Sequence, residues 1–264
     1  MQSIVVLVVL SCLRCSLAMS GLALIPKTWH QCVRQTYLAQ DVEDVNALHN
    51  IRHALVRRLI VMPLSKAFNP NQFNPMHDRI EYGDKCSFPD SIGKLLIQNK
   101  HDVPWIFEVK VISRASPQIN SSVPSLNITY ASPLDFRAPE NYMFMPQWMM
   151  QSLNIRPFDI VDVSFVRLRL ASLVVLQPMD KNWDMIVRRI GDEPLASLLE
   201  NELNKYSSIT ANSEIRLSIN GEEVTVRVFD VKDDRGVSMW GARLQDSEVR
   251  VDINRNLIDT EQKR

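Results

Sequence analysis

The sequence is short of glycine, and the glycines it has are scattered. Seven glycines stand in 264 residues, against fourteen prolines. No three glycines have the spacing of a G-x-G-x-x-G motif, and no Gly-Lys-Ser or Gly-Lys-Thr ends a phosphate-binding loop. The chain therefore lacks the glycine-rich motifs by which the common nucleotide-binding folds hold phosphate.

Histidine and cysteine are missing from most of the chain. All five histidines lie at or before His101, and the last cysteine is Cys86. His49 and His53 have the i, i+4 spacing of a zinc-binding helix, but Asn50 stands where an H-E-x-x-H motif needs glutamate. The cysteines show no spacing typical of a disulfide framework. We therefore expect no metal and no cofactor.

Charge of one sign is also absent. Thirty Lys and Arg residues balance thirty Asp and Glu residues, so the formal net charge is zero. No overall basic field draws the chain to nucleic acid, and we expect no nucleic-acid partner. The composition, 45% hydrophobic and 23% charged, is that of an ordinary globular protein. The length suits one or two domains.

An apolar run opens the chain. Residues 4–13 are almost wholly apolar, and the small residues Ser16, Ala18 and Ser20 follow. The run is shorter than the ~20 residues of a membrane span, so we expect no stable membrane insertion. The pattern predicts a signal peptide over 1–20, with a buried strand as the alternative.

The next segment, 21–54, resembles a transit leader. Across residues 21–58 five basic residues stand against three acidic ones, and positions 42–60 can form an amphipathic helix. A basic amphipathic leader behind a signal peptide is typical of two-part addresses for plastids bounded by extra membranes. We therefore expect delivery to a plastid-surrounding compartment, with the cytoplasm or the endoplasmic reticulum surface as the alternative. The other interpretation of this helix is that it packs on the following domain.

Residues 55–183 read as a unit of many short strands. Pro146 introduces a short helix with Trp148, and Asp90-Ser91 is placed to cap another. Many short strands separated by turns favour a β-barrel. The predicted strands are Val56–Met62, Trp105–Ile112, Ile128–Tyr130, Tyr142–Met145, Ile160–Leu170 and Leu173–Leu176.

Residues 184–256 predict a second, α+β unit, followed by a tail at 257–264. Residues 178–192 read as a connection, and a helix then begins around Pro194. Asn220-Gly221 predicts a type I′ turn between strands at 214–219 and 222–231. Two further strands are predicted at 237–240 and 248–253.

A family resemblance appears at the short helix. Residues 145–153, with Pro146, Trp148, Met149, Met150 and Leu153, resemble the P-x-W-M-M-x-x-L signature of the ubiquitin fusion degradation protein 1 family. The segment 81–85, with Gly83 and Lys85, is similar to the family's E-x-G-x-K, and 198–203 is similar to its L-E-x-x-L helix. The resemblance covers roughly residues 55–254.

The resemblance implies a fold and a role. The expected fold is β-rich α+β, a double-psi β-barrel followed by a smaller α/β-roll subdomain. The implied role is that of a non-enzymatic adaptor which binds ubiquitin or polyubiquitin. With a nuclear protein localisation 4-like partner, such an adaptor presents ubiquitylated proteins to a hexameric AAA unfoldase of the valosin-containing protein type. A member with a secretory leader resembles the symbiont-derived versions that serve plastid protein import.

Two groups of residues are candidates for partner contacts. Trp148, Met149 and Met150 suit adaptable apolar contacts, although apolar side chains on a short helix more often form core. Glu222 and Glu223, beside the hairpin turn, can meet a basic patch on ubiquitin or simply be solvated.

A third candidate is a strand with alternating arginines. Arg167 and Arg169 alternate with Val166, Leu168 and Leu170. They line a binding face, or they form the outer face of a half-buried strand.

The sequence leaves two other function classes open. Asp135, Glu140, Asp159 and Asp162 are carboxylates near one stretch of chain, and a pair of them can do acid–base work. Their spacing matches no catalytic motif, so we expect no enzyme. The remaining alternative is a scaffold or peptide-binding subunit of the same complex without ubiquitin recognition.

Overall fold

The computed structural model describes residues 29–51, 55–64, 82–113, 126–180, 182–190 and 192–254. The predicted signal peptide and the tail at 257–264 lie outside these residues. None of the helices that the described residues form combines the length and apolar content that a membrane crossing requires.

Five helices and twelve strands make up the described chain. The helices are α1 (Trp29–Ile51), α2 (Asp90–Gln98), α3 (Gln147–Ser152), α4 (Trp183–Ile190) and α5 (Asp192–Leu203). The strands are β1 (Val56–Pro63), β2 (Lys85–Pro89), β3 (Ile106–Ser113), β4 (Ile128–Ala138), β5 (Tyr142–Met145), β6 (Ile160–Val166), β7 (Leu173–Pro178), β8 (Ser208–Thr210), β9 (Glu214–Ile219), β10 (Glu222–Lys232), β11 (Gly241–Arg243) and β12 (Arg250–Ile253).

The first six strands close into a barrel in the order β1-β5-β2-β4-β3-β6. β1 runs parallel to β5 and antiparallel to β6, which brings the first strand beside the last two. Alternate apolar residues point inwards, because successive side chains of a strand face opposite sides. The inward residues on three of the strands are Leu59, Val61, Phe107, Val109, Val161 and Val163.

The remaining strands form a second, mostly antiparallel sheet in the order β12-β7-β10-β9, and β8 pairs with β11. The predicted hairpin is confirmed: β9 and β10 pair from Ile219 and Glu222, and Asn220 and Gly221 both have positive φ. The α+β class is therefore confirmed.

Strand β7 corrects the division made from sequence. The sequence pattern predicts 173–176 as part of the barrel unit, but β7 pairs with β10 and β12 of the second sheet. The change from barrel to second sheet therefore falls between Val166 and Leu173.

Helix α1 packs on the barrel, which was the alternative interpretation of the leader segment. It ends at Ile51 rather than continuing to position 60. Val42 is buried, and Asn46 makes three hydrogen bonds. Its Nδ2 donates to the Arg58 carbonyl at 2.8 Å and to Asn141 Oδ1 at 2.9 Å, and its Oδ1 accepts the Arg58 N–H at 2.7 Å.

Other elements differ from expectation. Residues 183–190, expected to be connection, form α4, and β4 runs on to Ala138. Pro89 occupies the N-cap of α2 without a side-chain hydrogen bond, so Asp90 is not the cap. In place of a strand at 237–240 there is a single bridge between Lys232 and Ser238.

Candidate functional site

A buried carboxylate joins the barrel to the second unit. Asp84, just before β2, accepts the hydroxyl of Ser132 at 3.0 Å. It also accepts the backbone N–H groups of Ser207 and Ser208, both at 2.9 Å, and the Ser208 hydroxyl at 2.7 Å. Lys85 Nζ donates to Ser132 Oγ and Ser207 Oγ, at 2.9 and 2.5 Å. Side chains of the E-x-G-x-K segment therefore fix one unit against the other.

Gly83 in the same segment has a geometric role. Its φ of +96° is in the region that favours glycine, and a Cβ there would lie 2.5 Å from the Lys205 carbonyl oxygen. The Gly83 carbonyl accepts the indole N–H of Trp148 at 3.1 Å. The Trp148 ring in turn packs on Tyr206, with centroids 5.9 Å apart, and burial raises the pKa of Tyr206.

The signature helix is core. Trp148, Met149 and Met150 of α3 are at most 5% exposed, and Leu153 is fully buried. The Cys86 thiol lies 3.8 Å from the Met149 sulfur, and burial raises the pKa of this thiol well above its ordinary value. The packing interpretation of the signature thus fits its position, since these side chains are almost wholly buried, although the edge of Trp148 lines a separate cavity of about 710 Å³.

Arg167 and Arg169 lie instead on an open cleft of about 810 Å³ between the barrel and the second sheet. By "the cleft" we mean the space lined by residues 102–104, 106, 165–172, 233–235, 243 and 246–248. It exposes two apolar side chains, Val103 at 74% and Leu170 at 42%. Backbone hydrogen bonds on either side of Leu170, between Arg169 or Ala171 and Arg243, fix its position.

The cleft also holds ion pairs and charges. Arg169 Nη1 lies 3.3 Å from Asp233 Oδ2, and Arg167 Nη2 lies 3.7 Å from Asp102 Oδ2. Asp233 Oδ1 accepts the backbone N–H groups of Val237 and Arg235, at 2.9 and 3.0 Å. These N–H groups, Val237 first, hold the pKa of Asp233 below its ordinary value, and Arg169 acts in the same direction.

One arginine atom in the cleft is left without a partner. The Nε of Arg243 is buried and makes no hydrogen bond with any described residue. The rim carries the exposed carboxylates Asp234, Asp246 and Glu248. The cleft therefore combines exposed apolar side chains with charges of both signs, because the exposed Arg167, Arg169 and Arg235 line it together with these carboxylates.

The two hairpin glutamates lie elsewhere. Glu222 forms an ion pair with Arg189 of α4 at 2.5 Å, and Glu223 accepts the hydroxyl of Tyr82. Neither residue lines the cleft. The structure thus separates the candidates into a buried helix, an open cleft and a hairpin tip.

The four carboxylates considered for acid–base work are engaged in separate contacts. Asp162 binds Arg58 through both oxygens at 2.8 and 3.0 Å, and Asp159 accepts the Arg156 N–H. Asp135 accepts the hydroxyl of Ser87. Glu140 accepts the N–H and the hydroxyl of Ser91, near the start of α2. Nowhere in the described ranges do three or more His, Cys, Asp or Glu side chains gather as a metal site requires.

Sequence reasoning missed several cleft residues. Val103 precedes a strand and Asp233 follows one, so neither belongs to a periodic pattern that singles it out. Arg243 lies on a strand of three residues, too short to be recognised. The one signal for this site was the Arg167/Arg169 alternation.

Comparison with known proteins agrees with the geometry of the barrel. Residues 62–169, from the end of β1 to just beyond β6, match the family model "Ubiquitin fusion degradation protein UFD1, N-terminal subdomain 1". This segment of the chain belongs to the ubiquitin fusion degradation protein 1 family. The fold residues described above, Gly83 and the α3 signature, lie within the matched segment.

Named relatives of this family resemble the chain at moderate identity. The Caenorhabditis elegans "Ubiquitin fusion degradation protein 1 homolog" is 30% identical over 165 residues, 62% of this chain and 43% of the relative. The Saccharomyces cerevisiae protein is 31% identical over 163 residues, 60% of this chain and 40% of the relative. The human "Ubiquitin recognition factor in ER-associated degradation protein 1" is 26% identical over 176 residues, 66% and 52% of the two chains. The match thus spans about half of these relatives or less.

Proposed function

We propose that the chain is a non-enzymatic, ubiquitin-binding adaptor in ubiquitin-dependent protein degradation or in a related form of protein import. The family match across the barrel supports this proposal, and the names of the relatives refer to ubiquitin recognition and ubiquitin fusion degradation. In this proposal the barrel has the double-psi topology and the second unit is the α/β roll. The adaptor hands ubiquitylated proteins to a hexameric AAA unfoldase, together with a nuclear protein localisation 4-like partner.

The cleft is the surface that we assign to ubiquitin. Ubiquitin carries an apolar patch with basic residues near it. Val103 and Leu170 provide exposed apolar contacts, and Asp234, Asp246 and Glu248 provide the opposite charge at the rim. Such contacts are individually weak, so we expect longer ubiquitin chains to bind more tightly through multivalency.

Calorimetric titration of the chain with mono-ubiquitin and with tetra-ubiquitin tests the proposal. We expect the tetramer to bind more tightly, and Leu170→Asp to weaken binding of both at least about tenfold. Ile97→Asp is the matched control, because Ile97 is 67% exposed on α2 and does not line the cleft. The Ile97→Asp variant should bind both forms of ubiquitin with the affinity of the wild type.

Absence of binding to both forms of ubiquitin at high micromolar concentration would reject the ubiquitin proposal. Binding that Leu170→Asp leaves intact would keep ubiquitin recognition and reject the cleft. Absence of binding would instead favour a scaffold or peptide-binding subunit of the same complex without ubiquitin recognition.

For localisation, we propose delivery through the secretory route to a plastid-surrounding compartment. Because α1 packs on β1 through Asn46, the folded domain includes part of the predicted transit leader, 21–54. Fusions of residues 1–28 and of residues 1–54 to a fluorescent protein test the address. Equal targeting by both fusions would place it before α1, and a cytoplasmic signal from both would reject it.

A further inference from the structure

A second groove runs along the last strand of the second sheet. Its volume is about 1,100 Å³, and it lies between α5 and β12. We call it the β12 groove. Its apolar lining comes from both elements: Leu195, Leu199, Leu203, Val249, Val251 and Ile253.

The outer edge of β12 is free along the described chain. β12 pairs with β7 alone and stands at the end of the sheet order. The Arg250 N–H donates to the Ser172 carbonyl, and the Asn254 N–H donates to the Leu176 carbonyl. In a parallel ladder alternate residues bond to the same neighbour, so the N–H and C=O groups of Val251 and Ile253 face outwards. These groups are a template for one further strand.

The charge around the groove is negative. Glu200, Asp234 and Glu248 are exposed, and none of them has an ion pair with a described residue. The two basic residues of the lining are already engaged, since Lys232 lies 3.5 Å from Asp230 and Arg250 lies 3.3 Å from Asp252. A ligand with positive charges would meet three unpaired carboxylates here.

We propose that the β12 groove binds an extended, basic peptide segment of a partner protein by strand addition. The partner's main chain hydrogen-bonds to the outward groups of Val251 and Ile253. Every second side chain enters the groove, where apolar side chains contact the apolar lining and Lys or Arg side chains on the same face meet Glu200, Asp234 and Glu248.

A second copy of this chain fits the groove less well. Pairing β12 with another β12 would place each groove's unpaired carboxylates near those of its copy. Like charges across paired strands are destabilising. The observed charge therefore favours a partner of opposite sign. Asp234 and Glu248 line both the cleft and the groove, whereas Glu200, Val251 and Ile253 line the groove and not the cleft, so variants of these last three residues test the groove apart from ubiquitin binding.

Selection from a phage-displayed library of random peptides about 12 residues long, enough for one strand, tests this proposal on the full chain. We expect enriched peptides in which apolar residues and Lys or Arg recur at every second position. Val251→Pro removes one outward N–H, whereas Val251→Ala removes the side chain and keeps the N–H. Enriched peptides should bind Val251→Pro about tenfold more weakly than Val251→Ala.

A charge variant gives the second measurement, which holds even if proline unfolds the edge. Glu200→Lys, which lies outside the cleft, should weaken the enriched peptides about threefold or more at low salt. Asp41→Lys makes the same charge change at an exposed position of α1 and should have no effect.

Three outcomes would overturn the proposal. They are no enrichment on the full chain, enriched peptides without basic residues, and binding unaffected by both the proline and the charge variants. Size-exclusion chromatography that showed a dimer lost in Val251→Pro would instead assign the edge to a second copy. Ubiquitin binding unchanged in all these variants would separate the groove from the cleft.

Discussion

Asp84 Oδ2 accepts two hydrogen bonds from Ser208, one from its backbone N–H at 2.9 Å and one from its hydroxyl at 2.7 Å, although the residues are 124 positions apart. The other carboxylate oxygen accepts from Ser132 and Ser207. A single buried side chain thus satisfies donors from the barrel and from the segment leading into β8. The mutual position of the two units depends on this contact.

We expect Asp84→Asn to destabilise the protein strongly. The amide keeps the shape of the carboxylate, but its NH₂ group faces donors such as the Ser208 N–H, so buried donors lose their acceptor. The free energy of unfolding should fall by about 2–4 kcal/mol, measured by urea denaturation. Asp90→Asn is the control, because Asp90 is exposed and its ion pair is with the exposed Lys94. A loss no larger than that of Asp90→Asn would contradict the role of Asp84.

A second prediction concerns the close approach at Gly83. Gly83→Ala adds a Cβ 2.5 Å from the Lys205 carbonyl oxygen and also forces a positive φ on alanine. We expect it to lower the free energy of unfolding by about 3 kcal/mol or more. Gly236→Ala separates the two causes, since Gly236 has φ +77° and no atom within 4 Å of an added Cβ. The control should lose only about 1 kcal/mol. Equal losses in thermal or urea unfolding would show that the close approach has no effect.

Asn46 provides a test of whether α1 belongs to the folded domain. Asn46→Ala leaves the N–H and carbonyl of Arg58 without their partners, so we expect a loss of about 1–3 kcal/mol in the free energy of unfolding. Gln40→Ala removes an exposed hydrogen bond to Asp44 on the same helix and should change stability by no more than about 0.5 kcal/mol. If both variants unfold at the same urea concentration as the wild type, α1 does not stabilise the barrel.

The lowered pKa of Asp233 predicts that the free energy of unfolding depends on pH. Its pKa in the folded protein is below the ordinary value of 3.8, so between the two values the unfolded chain binds more protons. The stabilisation that the ionised Asp233 carboxylate gives the folded protein is therefore fully present above the ordinary pKa. It is lost as the pH falls through the lowered pKa. Asp233→Asn keeps an oxygen for the N–H groups of Val237 and Arg235 but does not titrate in this range.

Urea unfolding at several pH values between about 2 and 6 measures this effect. The wild type should lose more stability than Asp233→Asn as the pH falls in the acid part of that range. Parallel curves for the two proteins would show that Asp233 does not contribute to the pH dependence.

Local patterns predicted the elements whose signals are contained in a few residues. The hairpin around Asn220-Gly221 and strand β5 were placed correctly, because turn chemistry and apolar alternation lie within each segment. β4 was cut short at Tyr130, because Ser132, Pro133 and Asp135 are poor strand formers that the barrel nevertheless pairs. The length of β4 is therefore set by its pairing in the barrel and not by local sequence propensity.

The parts that were missed depend on partners far along the chain. Leu173–Leu176 reads like any buried strand, and only pairing with β10 and β12 shows which sheet it joins. The cleft likewise brings Arg169 to Asp233, 64 residues away, which no short window contains. The family signature was recognisable from sequence, but its burial between Gly83 and Tyr206 was a matter of packing.

The closed order of the barrel bears on how the chain is made. β1 pairs with β5 and β6, so it leaves the ribosome about 80 residues before its first partner. At roughly 5–20 residues per second, that interval lasts on the order of 4–16 s. Throughout it the stretch from Leu59 to Met62, fully buried in the finished barrel, has no strand to cover it. The nascent chain is therefore itself a substrate for chaperones that hold apolar segments.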